Sequence, residues 1–447
     1  MRAKKSVVED IVKAVSTRDP AAAEVYHAAS AADRRKVVSL LKPGGLKALT
    51  RLIKDAAGRR FEEESGRFLA MAARIERTPS YLLDEALIEE NMRVLRYVKD
   101  RTGCTILHAL KSYASFATFP VMARYLDGTC ASGLYEARLG REEFGGVVHT
   151  YASAFRDDEM RGIVRLSDVV VFNSFHQLGK YGKLARSKGL QIGLRVNPGY
   201  AEVVEDMYNP CGPFSRLGLT SSAFDEGFRE YRHMVDGLLF HALCEQNADV
   251  LERVLQSFEN LYGRYVKGLK WVNFGGGHHI TRDDYDLERL VRLVNGFKKK
   301  YAVQVVLEPG EASVLNAGVL VSAVLDIVRN EMEIAIVDAS AEAHMPDVLL
   351  MPYRPYIMTS GEPGEKPYTY RIAGPTCLAG DVMGDYSFDG PLKRRDRVVF
   401  SDMALYSIVK STTFNGINLP DIAIARKGGE VEIVRRFGYR DYRDRQS

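Results

Sequence analysis

Eight short apolar runs punctuate the middle of this chain, at residues 105–110, 129–131, 147–151, 169–172, 192–196, 238–240, 271–274 and 303–307. Amphipathic helical segments separate most of them. Parallel strands need a crossover long enough to hold a helix, so strand–helix alternation predicts a parallel sheet. Eight such units in about 230 residues match the size of a closed (β/α)8 barrel. An open doubly wound sheet is the competing arrangement, but no Gly-x-Gly-x-x-Gly follows the first run.

The flanks read differently. Residues 1–77 carry helical periodicity only, as in Val7, Val8, Ile11, Val12 and Val15. Asp19-Pro20 reads as a cap followed by proline at the first helical position. Ser30 is placed to cap a helix running to Leu41, and Lys42-Pro43-Gly44-Gly45 to stop it. Two more helices are expected at 46–57 and 61–75. A short strand at 79–84 and a helix at 85–99 lead into the barrel. After Gly318 the helical rhythm stops. Strands are expected at 319–328, 333–337, 368–372, 397–400 and 431–434, forming an antiparallel β domain that the strand near Tyr81 is a candidate to join. The expected division is therefore a helical extension (1–77), a barrel (78–318) and a β domain (319–447).

Composition excludes several classes. With 46% hydrophobic and 27% charged residues the chain is that of an ordinary soluble globular protein. A net charge of +4 with no aromatic-interleaved basic block does not suggest nucleic acid. The longest apolar run, 317–325, is too short to span a bilayer. The basic start Met1-Arg2-Ala3-Lys4-Lys5 is followed by Glu9 and Asp10 and not by a signal-peptide apolar core. Cys104, Cys130, Cys211, Cys244 and Cys377 are odd in number and lack paired spacing, which fits a reducing cytoplasm.

The barrel reading makes a sharp statement about chemistry, because active sites in this fold sit at the C-terminal ends of the strands. The residues just past the runs include Lys111, Ser132, Asn173, Asn197, His241, Gly275 and Glu308. Lys111 ends the apolar run 104–110. A lysine closing a buried strand is costly unless its charge is paired or chemically used, and such lysines form Schiff bases readily. Gly275-Gly276-Gly277 lets backbone N–H groups approach a phosphate, or makes a tight turn. Glu308-Pro309-Gly310-Glu311 places a carboxylate where it can keep a pyridinium nitrogen protonated, or forms a surface turn. His241 can lie against an aromatic cofactor ring or be a satisfied core histidine. In the β domain, Cys377 lies in Gly374–Asp381, a run of small and turn residues that suits a loop thiol able to donate a proton. Tyr406 precedes a turn at 414–416 and is in reach of a phosphate or packed in the core. His278 and His279 with Cys244 and Cys211 lack metal-ligand spacing, so no metal is expected.

Taken together, Ala109-Leu110-Lys111, His241, the glycine triplet, Glu308-Pro309-Gly310, Gly374-Pro375-Thr376-Cys377 and Tyr406 resemble the alanine-racemase-fold decarboxylases that use pyridoxal phosphate, in the same order over roughly residues 78–425. Longer stretches are similar to the carboxynorspermidine and carboxyspermidine decarboxylases of that family. They are residues 135–146, Leu243-Cys244-Glu245, His344-Met345-Pro346-Asp347-Val348 and Met351-Pro352-Tyr353-Arg354-Pro355. Residues 1–77 fall outside the likeness.

The resemblance implies that Lys111 carries the cofactor as a Schiff base, that His241 stacks on its ring and that Glu308 binds its nitrogen. It implies that Gly275, Gly276, Gly277, Ser215 and Tyr406 hold the phosphate. It further implies a homodimer in which Cys377 reaches the neighbouring site and protonates the product carbon. Ornithine and diaminopimelate decarboxylases carry arginine after Glu-Pro-Gly, whereas this chain carries Glu311. A glutamate repels a distal carboxylate and attracts an ammonium, so Glu311, Asp347 and Asp381 are expected to pair with a cationic substrate tail. Decarboxylation of carboxynorspermidine or carboxyspermidine in polyamine synthesis is the expected activity. Decarboxylation of ornithine, arginine or diaminopimelate is the main alternative, with a racemase or an inactive regulator behind it.

Overall fold

The computed structural model describes residues 7–19, 21–56, 61–203 and 205–447. The basic start at 1–5, Pro20 and Ala57, each used above, lie outside them. Two compact units emerge. One contains the described residues before 59 with Glu90–Lys111 and Thr118–Ser313; the other contains the described part of 59–89 with Ser112–Ala117 and Val314–Ser447. The first strand in the chain, β1 (Ser80–Asp84), belongs to the second unit.

The first unit is a closed parallel barrel. Its strands are β2 (Thr105–Ala109), β3 (Gly128–Ala131), β4 (Val147–Tyr151), β5 (Val169–Phe172), β6 (Gln191–Arg195), β7 (Gly237–Leu239), β8 (Trp271–Asn273) and β9 (Gln304–Leu307). Each pairs with the next, and β9 returns to β2 through Thr105–Val306 and Ile106–Leu307. Leu107, Val169, Val171, Leu239, Trp271 and Val306 form a buried cluster among them. Strands covered on both faces have no solvent side, which is why they read as mainly apolar runs and not as alternating ones.

Four helices precede the barrel in this unit: α1 (Val7–Thr17), α2 (Ala21–Ala28), α3 (Ala31–Leu40) and α4 (Pro43–Ala56). They bury Val8, Ile11, Val15, Tyr26, Val37, Leu49 and Ile53. The Ser30 hydroxyl accepts from the Asp33 N–H at 3.1 Å and caps α3 as expected. Pro43, read as a helix stop, is instead the first residue of α4, where its missing N–H leaves no bond unmade. Two further helices, α5 (Phe61–Ala72) and α6 (Glu85–Thr102), flank β1. The Arg34 guanidinium donates to Asp100 on α6 at 2.6 Å, with both side chains at least nine-tenths buried. Thr50 on α4 and Arg101 on α6 both donate to Glu288, at the start of the barrel helix Leu287–Tyr301, at 2.8 and 2.7 Å. The early helices are therefore stapled to the barrel's own helices by buried polar groups.

The second unit is a sheet in the order β13-β12-β11-β10-β1-β15-β16, with β14 also on β10. Its later strands are β10 (Gly318–Asn330), β11 (Met332–Val337), β12 (Tyr368–Ala373), β13 (Val382–Phe388), β14 (Arg397–Phe400), β15 (Asp421–Ala425) and β16 (Val431–Arg435). The candidate strand near Tyr81 does join this sheet, between β10 and β15, and all five of its residues are buried. The sheet is mixed, not purely antiparallel: β1 runs parallel to β15 and β11 to β12. Both parallel pairs join strands separated by long connections, the condition that parallel pairing requires. The sequence reading missed β13, which carries Gly384 and Asp385, and the alanine-containing β15; such residues are depleted in strands. Helix α5 packs on β14 and belongs to this unit, so the helical residues before β1 do not form one body.

The Arg34–Asp100 pair yields a prediction. Arg34→Met leaves a buried carboxylate without its partner and should lower stability by about 3 kcal/mol, while Arg34→Met with Asp100→Leu should recover most of the loss. Thermal denaturation of the two variants beside the parent decides this; equal Tm values for all three would contradict it.

Candidate active site

The C-terminal ends of β2, β6, β7, β8 and β9 supply the barrel unit's candidate residues. Lys111 lies two residues beyond β2 and is exposed, between buried Leu110 and Ser112. The expectation of a buried lysine is corrected accordingly: the strand ends before it, and the residue is exposed. Glu308 follows β9 directly, with a side chain only 11% exposed. Burial pushes its carboxyl above the usual range, opposed by the Asn273 hydrogen bond, the Lys111 charge and the Cys130 thiol. The Asn273 amide donates to Glu308 Oε1 at 2.7 Å. Its carbonyl in turn accepts the Gly275 N–H at 2.8 Å, which fixes the amide's orientation. Burial first, then the Glu308 charge, raises the Cys130 thiol well above its ordinary value, so Cys130 is a neutral donor to Glu308.

His241 lies two residues beyond β7. Its Nδ1 accepts the Gly276 N–H at 3.0 Å, which places the ring proton on Nε2. Burial, then Lys111, Arg195 and His278, hold it well below the usual imidazole range, so the ring is neutral. The glycine triplet is built for this close approach. A Cβ on Gly276 would stand 2.4 Å from the Glu308 carbonyl oxygen, and Gly275 and Gly277 take φ values of +71° and +78°. Two of the three N–H groups expected to cradle a phosphate are committed internally, to Asn273 and His241. The triplet's visible work is thus to orient Asn273 and His241.

Sequence reading missed three residues of this cluster. Arg195, the last residue of β6, donates to the His241 carbonyl at 3.3 Å and lies over the Tyr151 ring at 4.7 Å. Its Nε is buried and without a partner. His149 on β4 is 6% exposed, and its Nδ1, also unpartnered, stands 3.8 Å from Glu308 Oε1. Burial pushes this imidazole down to about 4, so the pair is not ionic. Asn273 is the third. All three lie inside strands, where a polar residue facing the barrel interior was indistinguishable from a solvated one. The sequence carried no signal of their facing, because strands covered on both faces do not alternate cleanly.

Ser215 sits on the loop after β6, where its hydroxyl donates to the Pro210 carbonyl at 2.6 Å and accepts the Leu217 N–H at 3.2 Å. Glu311 is 9% exposed, and its carboxylate is held by His279 Nε2 at 2.6 Å. Glu245, His279 and Glu311 bring one ligand atom each within 4.8 Å of one another, among the described residues. Neither Cys244 nor Cys211 belongs to that group.

The sheet unit holds the remaining candidates. Cys377 is an exposed, free thiol whose backbone N–H donates to Asn415 Oδ1 at 2.6 Å. Asp381 is 2% exposed and is a clasp, not an open anion. Its Oδ1 accepts from Ser340 Oγ at 3.0 Å and the Ala341 N–H at 2.7 Å, and its Oδ2 from Thr376 Oγ1 at 2.7 Å. It ties the loop that carries Cys377 to the turn Ala341–His344, and its saturated oxygens leave no place for a substrate ammonium. Asp347 is engaged by Lys410 at 2.6 and 2.8 Å. Tyr406 takes φ +53°, uncommon for a non-glycine residue, and its N–H donates to the Ser112 carbonyl at 2.7 Å.

A barrel-mouth lysine, an elevated carboxylate and a neutral imidazole fixed by a glycine turn form a donor set that fits an aldehyde cofactor with a basic ring nitrogen. The buried orphan nitrogens of Arg195 and His149 beside them point the same way.

Comparison with known proteins agrees with this chemistry. Residues 25–404 match the family model described as "Pyridoxal-dependent decarboxylase, C-terminal sheet domain". A carboxynorspermidine/carboxyspermidine decarboxylase of Campylobacter jejuni is 43% identical over 376 residues, covering 82% of this chain and 97% of that protein. A carboxyaminopropylagmatine decarboxylase of Synechocystis is 39% identical over 370 residues, covering 82% of this chain and 95% of that protein. The crystal structure of carboxynorspermidine decarboxylase from Campylobacter jejuni, complexed with norspermidine, is similar at a TM-score of 0.77 and 41% identity. That match covers 83% of this chain and all of that one.

The buried histidine after the glycine triplet gives a pH prediction. His278 is 1% exposed, and burial, opposed by the Phe274 and Gly275 backbone, pushes it from 6.5 to about 4. Between those values the unfolded chain takes up a proton that the folded chain refuses, so this contribution to stability falls as pH drops. From pH 7 to pH 5 the loss is about 2 kcal/mol. Chemical denaturation at the two pH values should show His278→Phe losing about that much less than the parent; equal losses would contradict the assignment.

Proposed function

This chain belongs to the pyridoxal-dependent decarboxylases, and on that footing we propose that it removes the carboxyl group from carboxynorspermidine and carboxyspermidine, yielding norspermidine and spermidine. The observation that carries the reading is the pairing of Lys111 with a pinned, elevated Glu308 at one barrel mouth. Bound pyridoxal phosphate supplies a sink for the electron pair left when carbon dioxide departs. The protein's own residues do the rest. Lys111 would provide the amine that anchors the cofactor. Glu308 keeps the ring nitrogen protonated. His241, neutral and held by Gly276, offers a flat face that carries no charge to oppose the sink. Ser215, Tyr406 and the turn of Gly275, Gly276 and Gly277 would take the phosphate, the turn through the Gly277 N–H, since those of Gly275 and Gly276 orient Asn273 and His241. Cys377, from a second copy in a homodimer, returns a proton to the carbon that lost its carboxylate; its exposure on a clasped loop supports that role. Five free cysteines fit the cytoplasm as its place of work.

Glu311 remains the best reader of the substrate's amine tail. It is a barrel carboxylate held by a histidine, and Glu245 approaches the same histidine from the loop after β7. Asp347 would have to exchange Lys410 for a substrate ammonium, a like-for-like swap of one cation for another.

The test is product analysis by mass spectrometry with carboxynorspermidine, carboxyspermidine, carboxyaminopropylagmatine, diaminopimelate and ornithine, combined with borohydride trapping of the cofactor. Norspermidine and spermidine should be the main products, with the reduced cofactor on Lys111. Turnover of only the other three substrates, or an adduct on a different lysine, would overturn the reading.

A further inference from the structure

One buried group beside Glu308 has no task in the scheme above. His149 lies on β4, and its ring stands 5.9 Å from that of Trp271 at a tilt of 42°. Packing against Trp271 would satisfy a phenylalanine equally well. Yet the position carries an imidazole whose Nδ1 is buried, lacks a partner and faces Glu308 Oε1 at 3.8 Å. A hydrogen bond between nitrogen and oxygen spans about 2.7–3.2 Å, so the gap is under about 1 Å too wide. Buried polar atoms in folded proteins are almost always satisfied, and an orphan at a binding cleft marks a contact completed when the cleft fills. The oxygen it faces already accepts from Asn273 at 2.7 Å and has a second lone pair to offer.

We propose that His149 is a positioning residue for Glu308: its Nδ1–H donates to Oε1 once the cofactor is bound, so that Asn273 and His149 together saturate Oε1 and the carboxylate turns its other oxygen to the ring nitrogen. The inference rests on the proposed cofactor role of Glu308 and adds what fixes that carboxylate's orientation. Two neutral donors on one oxygen add to the Lys111 and Arg195 charges in favouring an ionised Glu308, which is the state that holds the ring nitrogen's proton. A charged partner in the same place would draw the carboxylate away from the ring. Burial keeps His149 neutral at working pH, as this role requires.

The test uses the holoenzyme, reconstituted with pyridoxal phosphate labelled with nitrogen-15 in the ring. In the parent, the ring-nitrogen resonance should be that of the protonated form. His149→Phe keeps the ring packing and removes the donor. It should shift that resonance toward the unprotonated position, weaken cofactor binding about tenfold and lower kcat about tenfold with KM within twofold. His149→Gln restores an N–H donor and should bring each value back to within about threefold of the parent. If His149→Phe does not fold, the nitrogen-15 spectrum of the parent's own histidines decides. The His149 Nδ1–H signal should move downfield and become protected from exchange on cofactor binding, and a signal unchanged between apo and holo forms overturns the proposal. Parent-like protonation and affinity in His149→Phe overturn it as well, as do equal losses in the Phe and Gln variants. A parent chain that takes up no cofactor on Lys111 overturns the underlying reading and this inference with it, and is told apart by the absence of any ring signal.

Discussion

A carboxylate kept out of water at the end of β9 is the constraint on which the barrel's candidate site depends. Burial disfavours the Glu308 charge and pushes its carboxyl above the usual range. The surrounding residues supply what offsets that. Asn273 donates to it, the Cys130 thiol donates to it, and the Lys111 ammonium lies close enough to favour the anion. Asn273 is oriented by the Gly275 N–H, and the neighbouring Gly276 N–H orients His241. One tight turn thereby fixes two side chains at once. The space for that turn exists because no Cβ fits between His241 and the Glu308 backbone.

Much of this was legible in the chain. Eight apolar runs became eight barrel strands because a strand covered on both faces has mostly apolar positions to show. Residues just past strand ends were readable for the same reason: they break the run. Arg195, Asn273 and His149 were not, since they lie within strands, and a polar residue inside a short strand carries no mark of which face it takes. Element boundaries at the turns also slipped. Pro43 starts a helix as readily as it stops one, and only the packing of α4 against its neighbours decides between them. The mixed character of the sheet was hidden because β1 and β15 are more than 300 positions apart in the chain, and local pattern says nothing of register at that distance.

The acidic residues show where charge alone misleads. Glu311, Asp347 and Asp381 read alike in sequence, as carboxylates in turn-rich stretches. In the fold they have three different occupations: Glu311 is held by a histidine, Asp347 by a lysine, and Asp381 by hydroxyls and backbone N–H groups. Asp381 has become part of the scaffold that presents Cys377. Glu311 keeps its carboxylate on the barrel side, with Glu245 close to the same histidine. The proposed reading of a polyamine tail therefore rests on the barrel-side group of Glu311 and Glu245.

The central claim is that the pinned Glu308 carboxylate drives carbon dioxide release, and an isosteric neutral replacement tests it most directly. Glu308→Gln keeps the shape and the Asn273 contact but removes the charge that holds a ring-nitrogen proton. Single-turnover release of labelled carbon dioxide from carboxynorspermidine should fall at least about 100-fold, roughly 2.7 kcal/mol of barrier, with the cofactor still attached at Lys111. Release within threefold of the parent rate would contradict the account.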